Sequence, residues 1–236
     1  MNIILLKPED RISETSARIT GDAFQHCVKT LKVSIGVRLS IGLIHHKLGI
    51  GIVRKIDNNA IIVDTSFEIE PPAKLPLSII LAMPRPKVLK RVLRNAAELG
   101  VKDIVLLNAY KVEKSYWQSP IITDAMCYFQ EGLEQAKDCI PPKLSIHKRF
   151  KPFVEDDLAA LIAGSEAFVA HPDQTAVELN NMHSRTQHRW VVIGPEGGFI
   201  PYEVDKLVAS GCQPLSMGNR IYRVENAVSL LVQGLS

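Results

Sequence analysis

Two short loops hold the residues whose types and spacing could do chemistry. The first is Gly194-Pro195-Glu196-Gly197-Gly198, which follows the apolar run ending at Ile193. Glycine accepts positive φ and lets backbone pass close to a ligand, while proline stiffens the turn. Alone, the loop reads equally as a tight turn into a helix opened by Ile200-Pro201 or as backbone shaped around a ligand. It has neither the G-x-G-x-x-G spacing nor the Lys-Ser/Thr of a phosphate loop, so no nucleotide-phosphate cradle is indicated. The second loop is Met217-Gly218-Asn219-Arg220-Ile221-Tyr222-Arg223, which leads into the last helical segment. Arginines at a helix start oppose the macrodipole, at a cost of about 0.3–1 kcal/mol if uncompensated. Their placement points to gripping a phosphate or an electron-rich base. The structural alternative is an ion pair of either arginine with Glu196 or Glu225.

A third loop, Met83-Pro84-Arg85-Pro86-Lys87, opens a segment bearing Lys87, Lys90, Arg91 and Arg94 with no acid before Glu98. Val88, Leu89, Val92, Leu93 and Ala96 form its apolar stripe. A solvated helix face usually mixes signs, so these four cations suit an RNA backbone. Tyr116 and Trp117, next to Lys111 and Lys114, read more readily as core or interface aromatics than as base-stacking platforms. Glu131, Glu134, Gln135 and Asp138 fall at helical spacing and read as a polar face. His171, in Ala170-His171-Pro172, ends a strand where it could border a ligand.

The elements that must position these loops follow two grammars. From Asn2 to about Phe67 the chain reads as short Ile- and Val-rich strands broken by Gly36, Gly42, Gly49 and Asp57-Asn58-Asn59. One helix interrupts them, with Phe24, Val28 and Leu31 as its apolar face. Residues 1–70 are therefore expected to form a small β-barrel. Pro71-Pro72 and Pro76 mark a linker. Beyond it, in residues 71–236, apolar strands alternate with amphipathic helices, the mark of an α/β domain with a parallel sheet. Ligands in such sheets sit at the carboxyl ends of the strands, here after Ala82, Ala170, Ile193 and Met217.

Composition adds bounds. With 236 residues, 46% hydrophobic and 22% charged, the chain is of ordinary globular type. The net charge of +3 permits an acidic partner without demanding one. Four apolar residues in a row before Lys7 are too few for a signal peptide, and no run approaches the roughly 20 residues that cross a bilayer. The expected setting is cytoplasmic, with no membrane partner. Cys27, Cys127, Cys139 and Cys212 are far apart, and only His45 and His46 adjoin, so reduced thiols and no metal site are expected.

Both loops together, with the stretches "FQHCVKTLKVSIGVRLSIG" (starting at Phe24), "AAELGV" and "EGLEQAKDCIPP", resemble the SPOUT-class RNA methyltransferases. Within that class the chain is similar to the family that methylates N3 of a uridine in small-subunit (16S) ribosomal RNA. The resemblance spans nearly the whole chain in order. It implies an N-terminal PUA-like barrel that binds RNA, a C-terminal α/β domain tied in a trefoil knot, a homodimer, and S-adenosyl-L-methionine as cofactor. It implies a cofactor pocket made by Leu81, Ala82 and Met83, by His171, by Ile193 and Gly194 to Gly198, and by Met217, Gly218, Asn219, Arg220 and Ile221. The chain departs from the family pattern at Met217, Tyr222, Asn226 and Asp138, the last counted among RNA-facing changes.

For such a reaction, catalysis is largely positioning plus a free lone pair, and the N3 proton must leave. Arginine stays protonated and is a poor base. Arg220 or Arg223 is therefore expected to bind the uracil and its phosphate, and Glu196 and Glu225 are the available acids, with nothing to choose between them. The target must be unpaired or flipped, because N3 is buried in a base pair. The partner would be ribosomal RNA or the assembled small subunit. Other readings are a methyltransferase for another RNA, a non-catalytic RNA-binding module, and a phosphate-metabolising enzyme for which no phosphate loop is present.

Overall fold

In a computed structural model, residues 2–172, 176–182 and 187–236 are described. The chain divides into two units, one of residues 1–73 with 130–141 and one of residues 74–129 with 142–236.

The first unit carries β1 (Ile4–Leu6), β2 (Arg11–Ser13), β3 (Ser16–Ile19), α1 (Gly21–Lys29), β4 (Arg38–Leu43), β5 (Leu48–Ile56) and β6 (Ile61–Ile69). Its sheet has the order β1-β4-β5-β6-β3-β2. The β1–β4 pair is parallel and the other pairs are antiparallel. This is a curled half-barrel with β1 and β2 at its edges. Alternation along β6 puts Ile61, Val63 and Thr65 inside, against Leu6, Ile19, Ile41 and Val53. At Gly49 a Cβ would lie 1.8 Å from the Ser66 carbonyl oxygen, and the β5–β6 register shifts there. Only a residue without a side chain fits.

Two expectations fail in this unit. The buried face of α1 is Phe24 and Cys27, while Val28 and Leu31 are exposed. The helix ends at Lys29, so Leu31 lies beyond it and cannot share its stripe. Asp138, expected to face RNA, is buried, and its Oδ1 accepts from the backbone N–H of Cys139 at 2.7 Å and of Ile140 at 3.0 Å. It shapes a turn, as a short acid does where two amides need an acceptor.

The second unit contains β7 (Leu77–Ala82), α2 (Pro86–Glu98), β8 (Asp103–Leu107), α3 (Pro120–Thr123), α4 (Ala125–Ala136) and β9 (Lys143–His147). There follow α5 (Phe150–Pro152), a π turn at Phe153–Asp157, α6 (Leu158–Leu161), β10 (Glu166–Ala170) and β11 (Val177–Glu178). It closes with β12 (Arg189–Ile193), α7 (Pro201–Ala209), β13 (Gln213–Ser216) and α8 (Val224–Leu235). The second half of α4 groups with the first unit. The helix expected across 121–137 is broken at Asp124, which separates α3 from α4.

Among the described residues the seven strands of this unit are parallel, in the order β11-β13-β10-β12-β7-β8-β9. The late strand β12 is inserted between β7 and β10, so the direction in which strands are added reverses there. The register sets Leu81 beside Ile193, Ile193 beside Ala170, and Ala170 beside Leu215. Four strand ends thus lie in one row, and their loops emerge side by side. Helix α2 buries Leu89, Val92, Leu93, Ala96 and Ala97 completely and packs on α8. The far end of α8 is held by Arg189, fully buried, whose Nη1 donates to the Leu235 carbonyl at 2.8 Å and whose Nε donates to Glu166 at 2.9 Å. That guanidinium meets the negative end of the helix dipole.

Candidate functional site

The row of strand ends opens onto a cleft of about 900 Å³. That is within the size range of small-molecule sites, about 300–1,000 Å³. One wall is the glycine loop after β12. Its turn is closed by Gly198 N–H donating to the Pro195 carbonyl at 2.8 Å, with Gly198 at φ +68°. A Cβ on Gly194 would come within 3.3 Å of Gly198 Cα and of the Phe199 ring, so the loop folds tightly on itself.

Three ties hold this wall. Glu196 Oε1 accepts from the Arg85 backbone N–H at 2.9 Å, which caps the start of α2. Lys111 Nζ donates to the Gly197 carbonyl at 2.7 Å. Glu203, 3% exposed, accepts from Tyr110 N–H at 2.7 Å and from Ile200 N–H at 3.1 Å. Its carboxylate fastens the loop after β8 to the first turn of α7. The glycine loop is therefore a strand-to-helix turn that also forms one wall of the cleft.

A second wall is the loop after β13. Ser216 Oγ accepts from Gly218 N–H at 3.0 Å, and Gly218 takes φ +83°. Met217, Gly218, Arg220, Ile221, Tyr222 and Arg223 all line the cleft. Arg223 is the N-cap residue of α8. The ion pairs that would have explained Arg220 and Arg223 structurally are not formed among the described residues. Glu225 pairs instead with Arg91, Nη1 to Oε1 at 3.0 Å, and Glu196 turns to a backbone amide. Glu225 is 8% exposed, and its Oε2 is buried without a hydrogen-bond partner.

Most residues expected in one pocket come together. His171, Ile193, Gly194, Pro195, Glu196, Gly197, Gly198, Met217, Gly218, Arg220, Ile221, Arg223 and Glu225 line the cleft. Leu81, Ala82 and Met83 do not, being wholly buried at the end of β7, and Asn219 is exposed outside the lining. Of the four α2 cations, only Arg91 reaches the cleft. Lys87 is exposed, Lys90 sits 5.0 Å from the centre of the Tyr128 ring, and Arg94 is half-buried. Trp117 is half-buried with Nε1 on Asn108 Oδ1 at 2.8 Å, in keeping with a packed aromatic.

Arg85 is a cleft residue that the sequence reading does not single out. It lines the cleft, is exposed, and stands at the N-cap of α2. The signal that marks Arg220 and Arg223, a cation at a helix start, applies to it equally. Phe199, Leu215 and Tyr222 also line the cleft without being expected there. As apolar neighbours of a loop, they carry no mark in the sequence.

A parallel sheet with a cleft at the point where its strand order reverses defines an α/β ligand-binding domain. Residues 71–236 match the RNA methyltransferase domain family, and the chain belongs to that family. The ribosomal RNA small subunit methyltransferase E of Treponema pallidum (strain Nichols) is 27% identical over 232 residues, which cover 96% of this chain and 87% of that protein. The ribosomal RNA small subunit methyltransferase E 1 of Borreliella burgdorferi is 23% identical over 230 residues, 96% of this chain and 94% of that one. Among solved structures, ribosomal RNA small subunit methyltransferase E from Neisseria gonorrhoeae, bound to S-adenosyl methionine, has a TM-score of 0.77. That match covers 98% of this chain and 95% of the other at 14% identity, so it establishes likeness of fold.

Proposed function

We propose that the chain is an S-adenosylmethionine-dependent methyltransferase acting on N3 of a uridine in small-subunit ribosomal RNA. The observation that carries this reading is the single cleft that the glycine loop and the Arg220–Arg223 loop both line at aligned strand ends. The names of the relatives support the ribosomal target.

The cleft suits an adenosyl cofactor. Ile193, Phe199, Leu215 and Met217 offer apolar surface, and the turns at Gly194–Gly198 and Gly218 bring backbone close without side chains in the way. When bound, the cofactor supplies an electrophilic methyl group on sulfur. The chain's own part is to position the base and remove its proton. Arg220 and Arg223, with Arg85 beside them, have no ion-pair partners among the described residues and bind the RNA phosphate and the uracil carbonyls. Charge that develops on the ring as the proton leaves is stabilised by these guanidinium groups.

The resemblance extends the proposal to a trefoil-knotted second unit, a PUA-like first unit that holds RNA, a homodimer, and a cytoplasmic setting with the ribosomal RNA or assembled small subunit as substrate. No helix among the described residues is long and apolar enough to cross a membrane. The deciding experiment is mass spectrometry of ribosomal RNA from cells lacking the gene, before and after treatment with purified protein and S-adenosylmethionine. The expected result is one missing N3-methyluridine in the small-subunit RNA, restored by the protein. Unchanged RNA would overturn the reading.

A further inference from the structure

Among the described residues, two carboxylates line the cleft, and the structure treats them differently. Glu196 is exposed, and one of its oxygens is engaged in holding the start of α2. Glu225 is nearly enclosed at the first turn of α8, with Oε1 on Arg91. Its Oε2 is shut off from solvent and receives no hydrogen bond. Buried polar atoms are normally satisfied, and one that is not calls for a donor that arrives from elsewhere. The terminal torsion of glutamate is soft, so a partial turn presents Oε2 to the cleft that Glu225 lines.

The charged and titratable groups around it come from each neighbouring element. Arg91 reaches it from α2, and Arg223 caps its own helix. Arg85, Arg220, Glu196 and His171 line the same cleft from the loops after β7, β13, β12 and β10. Among these only the two glutamates are anionic proton acceptors, and Glu225 alone has a buried oxygen with no donor.

Resting on the function proposed above, we infer that Glu225, not Glu196, takes the N3 proton of the target uracil, with its unpartnered oxygen as the accepting atom. The N3–H bond breaks towards the carboxylate, and the lone pair left on N3 forms the new bond to the methyl carbon. The methyl–sulfur bond breaks with its electrons remaining on sulfur, and protonated Glu225 then releases its proton to water. The same oxygen selects the base. Uracil presents a donor at N3, whereas cytosine presents an acceptor there that a carboxylate oxygen repels.

The test compares full-length wild type, Glu225→Gln and Glu225→Asp in single-turnover methyl transfer to in-vitro transcribed small-subunit ribosomal RNA. The RNA is made with uridine or with 5-fluorouridine, whose N3–H is more acidic. Calorimetric titration with S-adenosylmethionine and a thermal melt accompany each variant. Glu225→Gln is expected to melt cooperatively and bind the cofactor within about threefold of wild type, while transfer at neutral pH falls by roughly 10²–10⁴-fold. Higher pH and 5-fluorouridine are each expected to restore Glu225→Gln by at least about tenfold more than they change wild type, because both make N3 easier to ionise. Glu225→Asp, which keeps a carboxylate, is expected to fall between the two. Transfer by Glu225→Gln within about threefold of wild type would overturn the assignment. So would a loss that neither pH nor 5-fluorouridine relieves, which would mark the residue as structural. Wild type that binds no S-adenosylmethionine or leaves the RNA unmethylated would instead remove the proposed function, and this assignment with it.

Discussion

Glu196 and Arg85 lie 111 positions apart, yet the Glu196 carboxylate accepts the Arg85 backbone N–H at 2.9 Å. The bond joins the loop after β12 to the N-cap of α2, and both residues line the cleft. A hydrogen bond of this kind contributes about 0.5–1.5 kcal/mol net, and a charged partner raises it somewhat. Glu196→Ala should therefore weaken S-adenosylmethionine binding by roughly 3- to 10-fold, and Glu196→Gln, which keeps an acceptor in place, should lose less. Calorimetry on the three proteins decides it, and equal affinities for all three would show that the tie does not shape the cofactor wall.

Arg223 caps α8 with a cation and has no anionic partner among the described residues. Arg223→Ala removes no internal ion pair, so its melting temperature should stay near that of wild type. Cofactor affinity should also stay near wild type, while methylation is lost. If the side chain grips phosphate, the slope of log affinity for RNA against log salt should shrink by about one. Unchanged turnover would remove Arg223 from the reaction.

Gly218 stands at φ +83° with nothing within 4 Å of where a Cβ would lie. Any cost of Gly218→Ala is therefore backbone strain alone. It should be about 1 kcal/mol, equivalent to roughly 2–4 °C of melting temperature in a chain of this size. Because the strained residue sits in the cleft wall, cofactor affinity should fall with it. A melt identical to wild type would mean the loop relaxes to another conformation.

Glu134, in the second half of α4, titrates above the usual carboxylate range because burial disfavours its charge, an effect only partly offset by Gln130 donating at 3.0 Å. The folded protein therefore binds this proton more tightly than the unfolded chain. The stabilisation is fully present below the unfolded pKa and is lost as pH rises through the raised folded value. Glu134→Gln carries no such charge. Its stability advantage over wild type should grow as pH rises from about 4.3, the unperturbed glutamate value, and level off above the raised value. Denaturant titrations at several pH values measure this, and an advantage that shrinks over that range would reverse the sign of the linkage.

Much of this protein is legible in its residues. Strands β7, β8, β10 and β12 stand out as uninterrupted apolar runs because both faces of a parallel sheet are covered. Pro201 stands at the first turn of α7, where its fixed φ suits a helix start, and Arg223 stands at the start of α8, against the helix dipole as the sequence places it. Short or polar elements are not legible in this way. The exposed strand β2 and the weakly buried β9 have no apolar pattern to read. In α1 the apparent stripe of Phe24, Val28 and Leu31 runs past the end of the helix.

What the sequence by itself determined is the set of loops and the types of residue in them, because turns, caps and apolar periods are local properties. What only the tertiary structure decided is which partner each charge takes. Arg91 stands on α2 and Glu225 on α8, and nothing local links them. The packing of those helices brings them to 3.0 Å, leaving Arg220 and Arg223 without Glu225, the glutamate nearest in sequence. Register decided the rest, since aligning Leu81, Ile193, Ala170 and Leu215 in one row makes a single cleft from separate loops.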